Sequence, residues 1–136
     1  MLPLQHATLW RFLSAIFLVL VLVAAVAPAF WFDSKFKALT WFENVDKWIH
    51  AMTFLGLTVW FAGLYAARSY WRVIVGLMLF GFVIEGCQLM ISHRTADWVD
   101  IGANTAGIIV GLAVAAAGLG GWGLRFEDWY SRRTRP

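Results

Sequence analysis

Charge is what this chain has least of. Only 14% of its 136 residues are Asp, Glu, Lys or Arg, where a soluble domain carries about a quarter. Hydrophobic residues make up 61%, and the mean hydropathy is +0.69. That balance leaves no room for a separate soluble domain and points to one small integral membrane domain. Cysteine is nearly missing. Cys87 stands alone, so no disulfide can form within the chain and no redox compartment can be read from it. Its ordinary reading is a small buried core residue. Internal repeats, low-complexity tracts, a Gly-rich phosphate loop, a nucleophilic serine elbow and a recognised metal signature are also missing. No cofactor and no metal are therefore expected, and no motif fixes a reaction. The pI near 9.4 would suit nucleic acid. However, the basic residues flank apolar runs instead of forming a basic face, so the expected partner is anionic lipid and not nucleic acid.

What the chain does have is four long apolar runs. Phe12–Phe32 has Ser14 as its only clearly polar side chain, Ile49–Ala67 holds His50, Val73–Ser92 holds Glu85 and Gln88, and Ile101–Trp122 holds Asn104 and Thr105. Each is near the roughly 20 residues that a helix needs to cross about 30 Å of hydrocarbon. The runs lack period-two alternation, and in lipid only helices or closed barrels satisfy the backbone. The expectation is an all-α membrane protein: a four-transmembrane-helix bundle with helices at about 12–32, 49–67, 73–92 and 101–122, followed by a basic tail over 123–136. The first run resembles a signal sequence, with Ala25-Val26-Ala27 as a cleavage site. Its length and the following Pro28 favour a retained helix. Trp10, Trp31, Trp48, Trp71, Trp98 and Trp122 fall close to run ends, where indole rings favour the headgroup zone.

Lys and Arg in the short flanks set the orientation. Arg11, Arg68, Arg72, Arg125, Arg132, Arg133 and Arg135 share one side, against Lys35, Lys37, Lys47 and Arg94 on the other. The bias puts both termini in the cytoplasm of a bacterial-type inner membrane. The start of the second run, the end of the third and the start of the fourth then meet at the outer face.

The polar residues gather at that face. Asp46 and His50 are four apart and share a helical face, as do Glu85 and Gln88 at a spacing of three. Asp97, Asp100, Asn104, Gly107 and Gly111 form a stripe that is polar at its start and small at its end. Its GxxxG portion admits close helix approach. A bare carboxylate costs roughly 2.5–3.5 kcal/mol at a helix centre in lipid. Glu85 therefore requires a charge partner such as Arg94 or Lys47, a hydrogen bond to Gln88 or Asn104, or protonation. Arg94 suits the centre of such a network, because its planar fork can hold two carboxylates or a phosphate. Its carboxylate partner is Glu85 or Asp100. A polar cluster can also do no more than hold helices together. For His6, His93, Lys35 and Lys37 a loop, interfacial or solvated position is the ordinary reading.

Taken together, Asp46-Lys47-x-x-His50, Glu85-x-x-Gln88, Arg94 and Asp100-x-x-x-Asn104-x-x-Gly107-x-x-x-Gly111 resemble the VanZ-like family. The motif region covers about half the chain, and one departure is visible. The family often has Pro or Gly before the arginine, where this chain has Ser92-His93-Arg94. The resemblance implies a small bundle of membrane helices and a link to low-level teicoplanin resistance. It does not imply a defined reaction.

The first functional expectation is a cell-envelope membrane protein whose outward-facing polar pocket binds an anionic lipid or a lipid-linked glycan or phosphate headgroup. Lys47, His50 and Arg94 would supply positive charge. Glu85, Gln88, Asp97, Asp100 and Asn104 would orient them or meet sugar hydroxyls. The alternative is a membrane enzyme acting on such a substrate. There His50 beside Asp46, with Glu85, would serve as acid, base or nucleophile, or Glu85 with Asp97 or Asp100 would hold a divalent metal. Further alternatives are an accessory subunit of envelope polysaccharide machinery with a structural cluster and, last, a proton-linked or ion-conducting bundle, for which the inner halves of the runs look too dry.

Overall fold

The computed structural model describes residues 1–31, 42–92 and 98–134. Among them every regular element is helical: α1 (Ala7–Trp31), α2 (Phe42–Leu64), α3 (Tyr70–Ser92), α4 (Trp98–Val114) and α5 (Trp122–Thr134). A short 3-10 turn, Ala67–Ser69, leads into α3, and a π-helical stretch, Ala115–Leu119, follows α4. Among the described residues each apolar run lies largely in a helix, and each of α1 to α4 begins three to seven residues before its run, since helices continue into polar flanks. Within the basic tail the described residues form α5.

Among the described residues three stretches are long and apolar enough to cross a membrane: one in α1, one in α3, and one in the segment Trp98–Arg133. Helix α2, which carries Lys47 and His50, is not among them. It is also the most enclosed helix. Phe54, Leu57, Thr58, Ala62 and Leu64 are fully buried. The outside of the bundle is the reverse of a soluble surface. Phe12, Leu20, Leu79 and Ile109 are each about 60% exposed. An apolar exterior of that extent requires a lipid environment.

The tightest seam joins α2 to α4. A Cβ at Gly107 would fall on the Ala51 carbonyl oxygen. At Gly111 it would stand 2.6 Å from Thr58 Cβ and 2.9 Å from the Leu55 carbonyl oxygen. Burial of leucine from lipid gains little, so backbone approach of this kind is what holds membrane helices together. The apolar core lies beside this seam, where Phe54, Leu57, Val73, Leu77, Ile84 and Ile108 meet.

A second cluster closes the end of the bundle that holds the N-terminus. Trp10, Trp60 and Trp122 form a triangle with centroids 5.4–5.8 Å apart. Trp10 and Trp122 thus pack against one another, whereas Trp48, Trp71 and Trp98 are exposed. Ser14, the polar residue of the first run, accepts the Trp60 indole N–H at 3.0 Å and donates to the Trp10 carbonyl.

The helix ends at this side are capped by hydrogen bonds from outside each helix. Leu2 N–H donates to the Leu64 carbonyl at 2.8 Å, closing the C-terminus of α2. Arg125 donates to the carbonyls of Gly118 and Gly120, placing a cation at the end of the α4 segment. Gly118 has φ 136°, a conformation that L side chains rarely adopt. That residue ends the helical run before α5 turns back.

Candidate functional site

Four side chains meet at the opposite end of the bundle from the tryptophans. His50 comes from α2, Glu85 from α3, and Asp100 and Asn104 from α4. All four are more than nine-tenths buried. One ligand-capable atom each of His50, Glu85 and Asp100 lies within 4.8 Å of the other two. His50 Nδ1 donates to Asn104 Oδ1 at 3.0 Å across the α2–α4 seam.

Local sequence explains the placement. Asn104 lies one turn after Asp100 and just under one turn before Gly107, so the three share the buried stripe of α4 with Gly111. Gly107 brings the α2 backbone against that stripe at Ala51, the residue after His50. On the third side Gly81 makes the space. A Cβ there would stand 3.0 Å from Asn104 Nδ2 and 3.3 Å from Phe54 Cζ. Glu85 lies one turn further along α3, on the same face as Gly81.

The other candidates divide. Gln88 is buried, but its amide turns to α1 and donates to the Ala25 carbonyl at 3.0 Å. Lys47 is half-buried, one turn before His50. Arg94 and Asp97 lie outside the described residues, as does the side chain of Asp46, so the expected Arg94–carboxylate pair falls there too.

One buried acid escaped the sequence reading. Glu127 of α5 is 5% exposed. Its carboxylate accepts the Gln5 N–H at 2.6 Å, the His6 N–H at 3.0 Å and the Trp10 indole N–H at 2.9 Å. The first two are N-terminal donors that α1 cannot satisfy itself, so Glu127 caps α1 from the other end of the chain. Burial pushes its pKa up. The N–H groups of His6, Trp10 and Gln5 and the nearby His6 ring outweigh burial and hold it below the ordinary 4.5. The available signal was an acid flanked at i−1 and i+2 by aromatics in a basic tail.

The VanZ/LLP1 family matches residues 6–119. The chain belongs to the VanZ-like family. The matched segment takes in α1 through the π-helical stretch and every residue of the His50 cluster, and it stops short of α5. No curated protein and no solved structure matches the chain significantly. For this VanZ-like protein, membrane residence follows from the family together with the three apolar helices.

Chemically, the VanZ-like cluster offers an imidazole held in one orientation, two carboxylates and a carboxamide in a low-dielectric setting. With Nδ1–H on Asn104, the neutral imidazole would carry its lone pair on Nε2.

Proposed function

We propose that this VanZ-like protein is a four-span membrane domain with both termini in the cytoplasm, and that its His50 end faces outward to bind an anionic headgroup. The ligand is a lipid or lipid-linked glycan or phosphate of the cell envelope. Membership of a family linked to glycopeptide resistance agrees with that assignment. The observation that carries it is the convergence of His50, Glu85, Asp100 and Asn104 from three helices at one end of the bundle. Scattered polar residues would not converge, and helix cohesion alone does not require two carboxylates and an imidazole together. Lys47 and Arg94 supply the positive charge, and the cluster orients them.

The test is binding of the purified chain to nanodiscs with and without anionic lipid. Arg94→Ala and His50→Ala are expected to weaken binding to the anionic discs about tenfold. Equal binding by both variants overturns the proposal.

A second reading is a membrane enzyme acting on a lipid-linked phosphate. The His50–Asn104 hydrogen bond favours it, because a base held by a second group is the usual arrangement for proton transfer. Product formation that disappears in His50→Ala would establish turnover, whereas binding without product would favour the first reading.

A further inference from the structure

We infer that α5 lies in the headgroup zone of the leaflet at the N-terminal end of the bundle, and that it holds anionic phospholipid there through Arg125, Arg132 and Arg133. The inference rests on membrane residence and not on the His50 proposal. Helix α5 also lies outside the segment that the family matches.

Length gives the first argument. The apolar segment Trp98–Arg133 has 36 residues, which is about 54 Å of helix. The hydrocarbon core is about 30 Å thick, and α4 with the π-helical stretch already covers roughly that distance. Gly118 and Gly121, at φ 136° and 69°, then break the run. Helix α5 therefore begins at the membrane surface, and side chains fix it to the bundle end. Gly123 packs on Gly63 and Leu64 at the C-terminus of α2. The Trp122 indole donates to the Val59 carbonyl at 3.1 Å. Glu127 holds the N–H groups of Gln5 and His6 ahead of α1.

The second argument is the outer side of α5. Phe126, Trp129, Tyr130 and Arg133 follow the i, i+3, i+4, i+7 spacing of one helical face. Each of the three rings is about half exposed. Phe126 and Trp129 have ring centroids 6.0 Å apart, and the Arg133 guanidinium lies over the Trp129 ring at 4.5 Å. Tryptophan and tyrosine favour the depth of the headgroups. An aromatic face with arginines beside it is the pattern of a helix lying in the interface plane.

Charge complementarity names the occupant. Arg125 and Arg132 share the neighbouring face, where they line a shallow groove with Asp128 and Trp129. All three arginines are exposed. Glu127 is turned inward, so the outward charge of α5 is three cations against Asp128. The guanidinium fork matches a phosphate, and each basic residue near an anionic leaflet adds attraction.

The experiment reconstitutes the full chain in phosphatidylcholine vesicles. It compares tryptophan quenching by brominated phosphatidylglycerol and by brominated phosphatidylcholine. The quenching that Trp129→Phe removes reports the α5 face, and it should favour phosphatidylglycerol. Arg132→Gln together with Arg133→Gln should lower that preference about 25-fold, or about fivefold per arginine. Arg132→Lys together with Arg133→Lys keeps the charge and should keep the preference. Circular dichroism checks that each variant is folded. Quenching of Trp129 by neither lipid overturns the proposal, and a crosslinked dimer in that case assigns the face to a second copy. An unchanged preference in the folded glutamine pair also overturns it. Anionic-lipid preference lost in Arg94→Ala but kept in the glutamine pair overturns it and upholds the headgroup proposal. Preference lost in the glutamine pair but kept in both Arg94→Ala and His50→Ala does the reverse.

Discussion

Asn104 Oδ1 accepts a hydrogen bond from His50 Nδ1 at 3.0 Å, tying α4 to α2 inside the bundle. The bond lies one residue from the closest backbone approach of those helices, Gly107 against Ala51. Polar recognition and steric fit therefore act on one seam. Removing Asn104 leaves a buried N–H without its acceptor. A double-mutant cycle over His50→Ala and Asn104→Ala is expected to give a coupling of about 0.6–1.7 kcal/mol, the range for hydrogen bonds between membrane helices. Unfolding in mixed micelles measures it. A coupling of zero would mean that the two side chains do not stabilise each other.

The α2–α4 seam gives a ranking of glycines. Gly107→Ala places a methyl group on the Ala51 carbonyl and should destabilise the protein by about 1–3 kcal/mol through forced separation of the helices. Gly86→Ala on α3 meets nothing within 4 Å. It should be neutral or stabilising by about 0.5–1 kcal/mol, because alanine restricts the unfolded chain more than glycine does. Equal effects at the two positions would remove the argument for close approach.

Gly118 isolates the backbone contribution. A Cβ there meets nothing within 4 Å, yet φ is 136°. Gly118→Ala is therefore expected to cost about 1–3 kcal/mol from conformation alone. Thermal unfolding of the two variants Gly118→Ala and Gly86→Ala should show shifts of opposite sign, or no shift for the latter.

Glu127 predicts a pH dependence. Its folded-state pKa lies below the ordinary 4.5, so the ionised carboxylate favours the folded state above that value. The stabilisation fades as pH falls past 4.5 and through the lower folded value. Melting temperature measured downward from neutral pH should drop on the acid side. Glu127→Gln should melt lower at neutral pH and lose that part of the acid-side slope. A variant with the same slope as the parent would assign the acid sensitivity to other carboxylates.

Much of this was legible from residue order. Run length and the scarcity of charge predicted helices in lipid, because hydrocarbon tolerates no unsatisfied backbone. The spacing of Asp100, Asn104, Gly107 and Gly111 assigned one face of α4, since a helix repeats every 3.6 residues whatever surrounds it. The pairing of Glu85 with Gln88 was legible as a shared face, but not its outcome. Gln88 turns to the Ala25 carbonyl of α1 while Glu85 joins the cluster.

Contacts between residues far apart in the chain could not be read in advance. Periodicity describes one helix at a time and carries no information about which residue of another helix stands opposite. That His50 meets Asn104, that Glu127 caps α1 across 122 residues of chain, and that Trp10, Trp60 and Trp122 form a triangle are properties of how helices pack. The chain's order settled that α2 and α4 would be helices with small and polar stripes. Assembly settled which stripes would touch, because the position of one glycine against one carbonyl sets the register of the seam, and the register places the imidazole against the carboxamide.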